Sequence, residues 1–414
     1  MIPSKVFTIA ILLLVFTGCE DDEANNDQAE DNTFDGGYYL VDTGQSKFYN
    51  NTEEISEPTA SDSFYGQDAQ YERNAPKYID NGNNTVTDLV TGLMWSKSAD
   101  IDDDGDIDAS DKLTFAEAVE GANDFELGGF DDWRLPTIKE LYSLIIFSGV
   151  DPSGYSGTST NDLIPFIDTE YFDFEYGDTD AGERIIDAQY VSSTVYVAET
   201  EFASGELVFG VNFADGRIKG YPTTNKTFYV AYVRGNSDYG VNQFVDNGDS
   251  TITDNATDLM WMQYDNERGV NWEEVLNYAE NLHYAGHSDW RLPNSKELQS
   301  IIDYTRSPGT TNSAAIDPIF KGSTISNEEN ETDFPFYWSS TTHANWSNQS
   351  GANAAYLSFG RALGYFNNTW MDVHGAGAQR SDPKTGDPDD YPTGHGPQGD
   401  AIRIFNYVRC VRDL

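Results

Sequence analysis

Two stretches of the chain carry the same helical spacing of apolar residues. Phe115, Ala118, Val119 and Ala122 fall three and four apart within 114–125, and Trp272, Val275, Leu276 and Ala279 repeat that spacing, with Asn271 placed to cap the start. Each stretch is followed by a proline, Pro136 or Pro293, and then by a second helical pattern, predicted over 138–147 and 295–305. Ahead of each pair, a turn dipeptide adjoins a β-prone run: Asn81-Gly82 before Thr85-Val86-Thr87, and Asn247-Gly248 before Thr251-Ile252-Thr253. Each is expected to form a β-hairpin. Behind each pair come further β-prone runs, at 207–213 and 227–234, then at 354–359 and 402–412. The pattern is hairpin, two helices, strands: an α+β arrangement written twice.

Self-comparison makes the duplication explicit. Asp80-Asn81-Gly82 recurs as Asp246-Asn247-Gly248, and the block from Asp88 to Trp95 recurs from Asp254 to Trp261. Asp132-Trp133-Arg134-Leu135-Pro136 recurs unchanged from Asp289 through Trp290 and Arg291 to Pro293, each copy followed by Lys-Glu-Leu (139–141 and 296–298). Tyr190 to Thr194 matches Tyr337 to Thr341, and Tyr232-Val233-Arg234 is matched to Tyr407-Val408-Arg409. These blocks place two homologous domains at 76–236 and 242–413. In the five-residue block, Trp and Leu are expected in the core, Arg in a pair with a carboxylate, and Pro in the first turn of the next helix. Trp95 and Trp261 are read as structural in the same way.

The chain has 414 residues, 70 acidic and 24 basic, for a net charge of −46. Such a surface repels phosphate backbones and anionic lipid, which excludes nucleic acid as a partner, and it favours hard cations bound through carboxylates. An aromatic content of 14% excludes a wholly disordered acidic chain. Two cysteines, Cys19 and Cys410, give no disulfide framework, and no zinc-ligand spacing occurs.

At the N-terminus, Lys5, the apolar run 6–16 and Thr17-Gly18-Cys19 resemble the lipobox of bacterial lipoproteins. That resemblance implies a signal peptide at 1–18, a lipidated Cys19, and an outer-membrane lipoprotein exposed at the cell surface. The membrane is then touched only through the lipid. The polar, acidic stretch that follows, 19–37, reads as a flexible tether.

One segment carries recognisable site chemistry. From Asp100 to Asp111 the chain follows the twelve-position calcium loop, with carboxylates at Asp100, Asp102, Asp104, Asp108 and Asp111, Gly105 for the sharp turn, Ile107 as the anchor, and a carbonyl expected from Asp106. Trp95 and Trp133 are 38 residues apart, whereas Trp261 and Trp290 are 29 apart, so this loop is an insertion in the first copy. Calcium is expected there in a structural role. The long polar loop 374–400 is peculiar to the second copy and is expected at the surface.

The repeated blocks resemble the Lcl C-terminal domain family. Asn81 to Asp88, Thr91 to Trp95, Gly129 to Pro136, Tyr337 to Thr341 and Val408 to Arg412 carry the pattern, and 38–75 resembles the leader that precedes such domains. The resemblance implies two tandem C-type-lectin-like domains, related to formylglycine-generating-enzyme domains. The best-known relatives are surface proteins, one of them an adhesin for glycosaminoglycans. A chain at −46 does not share that member's basic character, so sulfated polyanions are not expected as ligands. Members also pair a helix cysteine with the final one. Here Ala122 and Ala279 stand in the helices, which leaves Cys410 as a buried, unpaired thiol.

No nucleophile elbow, phosphate loop or dinucleotide fingerprint occurs, and an enzyme is not expected. The leading expectation is a non-enzymatic envelope module that binds a glycan or a protein. A component of a surface or secretion assembly is the alternative, and a glycan-active enzyme the remote one.

Overall fold

The structure is a computed structural model that describes residues 37–202 and 205–414. The signal-peptide pattern, Cys19 and the tether through residue 36 lie outside the described residues.

Each copy begins and ends in one four-stranded antiparallel sheet. In the first copy, Tyr78–Asp80, Thr85–Asp88 and Leu93–Ser96 run in order, and the returning strand Val233–Gly235 pairs with the third. The second copy repeats this with Phe244–Asp246, Thr251–Asp254, Leu259–Met262 and Val411–Asp413. The hairpin turns are built identically. Asn81 Nδ2 donates to Thr85 Oγ1 and Thr87 Oγ1, both at 2.9 Å, and Asn247 does the same to Thr251 and Thr253 at 2.8 and 3.0 Å. Gly82 and Gly248 take φ of 72° and 75°, which glycine adopts without steric cost.

The helices form where the apolar spacing placed them, but they are short. Phe115–Gly121 is capped by Thr114 and Trp272–Glu280 by Asn271, whose side chains accept from the third amide of each helix. Val119 is exposed where its counterpart Leu276 is buried. The second helices span only Ile138–Ser143 and Ser295–Ser300. They stop early because tertiary acceptors take the next amides: Ile146 N–H donates to Phe166 O, Phe147 N–H to Thr43 O, and Asp303 N–H to Ala315 O. Pro136 and Pro293 lie one residue ahead of the caps Thr137 and Asn294 and not in the first turn. Their carbonyls accept from Ser193 and Ser340 of the two Ser-Ser-Thr blocks. The long strands expected at 227–234 and 402–412 are interrupted. Only Thr227–Phe228, Val233–Gly235 and Val411–Asp413 keep ladder geometry, and Ile404 at φ 62° breaks the second run.

Strand register also corrects one equivalence. Val233 and Val411 lie opposite Trp95 and Trp261, and Arg234 and Arg412 lie opposite Met94 and Met260. Tyr232 therefore matches Cys410, and not Tyr407. Cys410 is a free, fully buried thiol, pushed up by burial, packed in an apolar cluster with Ala279 and Trp272. In the first copy the Tyr232 phenol fills that place and donates to Ala118 O at 3.0 Å. A Cβ on Gly121 would come within 2.7 Å of that hydroxyl and force it to shift.

The two copies share a sheet of six strands. Its order is Phe336–Thr342, Asn353–Ser358, Gln379–Pro383 from the second copy, then Arg217–Pro222, Leu207–Asn212, Gln189–Val195 from the first. The seam is antiparallel and narrow, with Gln379 opposite Ile218. Beneath it a common core holds Trp95 and Phe209 together with Trp261 and Leu357. Satellite cores lie under the first helix of each copy.

Two lysines of the repeated Lys-Glu-Leu block tie the copies reciprocally. Lys139 Nζ donates to Ser300 O at 2.6 Å, and Lys296 Nζ donates to Ser143 O at 2.8 Å. Each caps the C-terminal carbonyls of the other copy's helix, where the helix dipole favours a cation. The leader joins the same seam. Gln45 Nε2 donates to Thr342 O and Phe147 O, and buried Asp68 accepts from Thr43 and Thr341.

Candidate functional site at the junction of the copies

The repeated five-residue block is a structural clamp in both copies. Trp133 and Trp290 are buried, with Nε1 donating to Leu127 O and Tyr284 O. Asp132 holds Arg234 at 2.6 Å and Asp289 holds Arg412 at 2.9 Å, fastening the returning strand. Arg134 and Arg291 each bind a glutamate, Glu140 or Glu297, through two hydrogen bonds. The same glutamate accepts the amide of the helix cap. Trp95 and Trp261 are completely buried. None of these side chains faces a cavity wall described below.

In the acidic loop, Asp100, Asp102 and Asp104 each bring one carboxylate oxygen within 4.8 Å of the others. Backbone amides wrap the loop around its first residue: Gly105 N–H donates to Asp100 Oδ2 and Asp104 N–H to Asp102 Oδ1. Asp100 Oδ1 is buried with no hydrogen-bond partner among the described residues, and a cation is one group that answers such an oxygen. Partial desolvation and then Asp104 push the Asp102 carboxyl above its ordinary value. Ile107 packs on the common core, as the anchoring position predicts. The other expected ligands stand apart from this cluster. Asp111 is buried and accepts from Ile101 N–H at 2.7 Å and Asp108 N–H at 2.9 Å, Asp108 caps the turn at Ala109–Asp111, and Asp106 remains outside. The residues present suit a hard cation held by three carboxylates.

Sequence reasoning missed a cavity of about 830 Å³, which opens where the copies meet. The strand Arg217–Pro222 alternates, so Arg217, Lys219 and Tyr221 point to one face and line it. Lys226 and Arg184 come from the same copy, and Arg380 from the seam strand of the other. The loop 374–400 supplies Tyr391, His395 and Asp400 to the wall. Chain-wide, acids outnumber bases 70 to 24, but here five bases meet three acids, Asp151, Asp215 and Asp400.

The three acids are all paired. Asp151 lies 2.7 Å from Arg217, and Asp215 lies 2.7 Å from Lys219 and 3.3 Å from Arg217. Burial would raise the Asp151 carboxyl, but Arg217 and His343 hold it well below the usual range. Asp400 accepts from Arg380 and from His374 Nε2. Arg184 is held by Asp187 at 2.7 Å, whereas Arg380 and Lys226 keep spare capacity. Arg380 Nε and Nη1 and the Tyr221 hydroxyl are buried without partners among the described residues. Lys226 Nζ is held by the amide oxygen of Gln189 at 2.9 Å. Desolvation lowers Lys219 to about 8 and Arg380 to about 10, which leaves both cationic at neutral pH.

The family model of the Lcl C-terminal domain matches residues 84–234 and 250–374, one segment in each copy. The chain belongs to the Lcl C-terminal domain family. The second match ends at His374, so Arg380, Tyr391 and Asp400 lie on a part of copy two that the family pattern does not cover. No curated protein and no solved structure matches this Lcl C-terminal domain protein. The cavity escaped the sequence because its bases sit on separate strands of two copies. The one local signal was Arg217-Ile218-Lys219, two bases on one strand face in a chain so poor in bases.

Proposed function

We propose that this protein is a lipid-anchored envelope module that binds a ligand in the cavity between its two copies, without catalysing a reaction. The observation that carries the reading is the reversal of charge on that wall. An acidic chain that gathers five bases around one cleft has the polarity of a binding site and not of a generic surface. All three wall carboxylates are engaged by cations, which leaves no unpaired acid and base to share a proton transfer. A C-type-lectin-like fold for each copy is part of this proposal. It is supported by the family and by the way each copy closes its two ends in one sheet around two helices. Localisation to the bacterial outer membrane rests on the Cys19 pattern.

A glycan array probed with the mature chain tests the binding reading. Retention of a defined glycan class supports it. A silent array together with release of reducing sugar from a polysaccharide would replace it with an enzyme.

Calcium in the Asp100–Asp104 loop belongs to the same proposal, as a brace between Leu93–Ser96 and the helix at Phe115. Calorimetric titration of the calcium-free protein is expected to show one site that disappears in a variant carrying Asp102→Ala and Asp104→Ala. Identical isotherms for the two proteins would remove the site.

A further inference from the structure

We propose that the junction cavity takes a small, unsulfated sugar acid, with its carboxylate held by Lys226 and the Lys219–Arg380 wall and its ring against Tyr391. This rests on the ligand-binding reading above and adds the chemical class.

Four observations lead to it. The first is the electrostatic balance: Arg184 is spent on Asp187, and the four remaining bases against three acids leave the wall short of one negative charge. A polyanion would still meet Asp151, Asp215 and Asp400, and outside them a surface of net −46. The second is unused hydrogen-bonding capacity. Arg380 Nε, Arg380 Nη1 and the Tyr221 hydroxyl are buried donors with no partner among the described residues, and Asp215 Oδ1 is a matching acceptor. Buried groups of this kind are regularly completed by something polar in the space they border. Planar guanidinium and ammonium donors suit a carboxylate, and a hydroxyl can both give and take a hydrogen bond at Tyr221 and Asp215.

The third is the aromatic lining. Tyr221, Tyr356, Trp346 and Tyr391 contribute to the wall, and aromatic faces pack on the apolar faces of rings. The fourth is size. About 830 Å³ lies within the range of small-molecule sites. Because Lys219 and Lys226 come from one copy and Arg380 and Tyr391 from the other, neither copy holds the site alone.

Isothermal titration with digalacturonate, its dimethyl ester and a sulfated disaccharide tests the assignment on the full mature chain. Digalacturonate is expected to bind at least about tenfold more tightly than the ester, the scale of one charge-assisted contact. Lys226→Gln is expected to shrink that advantage severalfold, because one of the cations on the carboxylate is lost. Among the described residues Lys226 has no carboxylate partner to strand, so this variant is expected to keep its unfolding midpoint. Equal binding of acid and ester would overturn the sugar-acid class while leaving the cavity as a binding site. Tighter binding of the sulfated sugar would also overturn it. If none of the three sugars binds, the class falls, and the glycan array then decides the binding reading separately.

Discussion

Replacing Arg291 with alanine lowers the free energy of unfolding by about 3–5 kcal/mol, the cost of leaving a buried charge without its partner. The arginine and Glu297 are both almost fully buried, joined by two hydrogen bonds of 2.6 Å, and Arg291 also reaches Asp413 at 3.0 Å. Without the guanidinium, Glu297 keeps only the Asn294 amide and remains in the interior. The equivalent change in copy one, Arg134→Ala, costs less, about 1–3 kcal/mol. Arg134 has a side chain 35% exposed, so water can reach the vacated site. Urea unfolding at neutral pH measures both. Equal losses in the two variants, or a loss below about 1 kcal/mol for Arg291→Ala, would contradict the clamp.

The second large effect belongs to the lysine clasp. Lys296 is buried and Lys139 half-buried, and both point at carbonyls of the other copy, with no salt bridge to either among the described residues. Burial lowers both from their ordinary value to about 8. Replacing either with methionine strands carbonyls and costs about 1–3 kcal/mol, and the double variant loses more than either single one. The pH dependence has a definite sign. Between about pH 8 and 10.5 the unfolded lysines hold protons that the folded ones have released, so the unfolded state binds more protons. The titration-linked part of their contribution is therefore fully present above pH 10.5 and lost as pH falls through about 8, while the hydrogen bonds to the carbonyls persist below it. Unfolding midpoints across that window are expected to carry this component in the native chain and to lack it in the double methionine variant. Identical pH profiles would contradict the clasp.

Much of this was written locally. The duplication, the hairpin turns at Asn81-Gly82 and Asn247-Gly248, and the Asn271 cap depend on neighbours within a few residues, and they formed as the pattern indicated. The structural reading of the Asp-Trp-Arg-Leu-Pro block also follows from local chemistry, because a buried arginine beside an acidic helix start has few other uses. What misled the reading was long-range. The second helices ended early because Thr43 and Phe166 in copy one and Ala315 in copy two, all well outside the helical window, took amides that a helix would have used. The match of Tyr232 to Tyr407 followed letters, whereas pairing with Trp95 and Trp261 set the true equivalence at Cys410. The lysine of Lys-Glu-Leu resembles any exposed helix residue, and its role exists only when two copies face each other.

The candidate site divides in the same way. Asp100, Asp102 and Asp104 sit within five residues, so their convergence was legible from spacing. Asp111 was drawn off to backbone amides of its own loop, which spacing alone does not reveal. The junction cavity draws residues more than 150 positions apart, from Lys226 to Asp400, and no local pattern encodes it.

The central claim is that one site is shared by both copies at their seam. Hydrogen–deuterium exchange of the full mature chain, with and without saturating digalacturonate, tests it most directly. The account predicts slower exchange in two separate regions, one covering Arg217 to Lys226 and the other Arg380 to Asp400, with little change in the Asp100–Asp111 loop. Protection confined to a single copy, or appearing away from both regions, would contradict it.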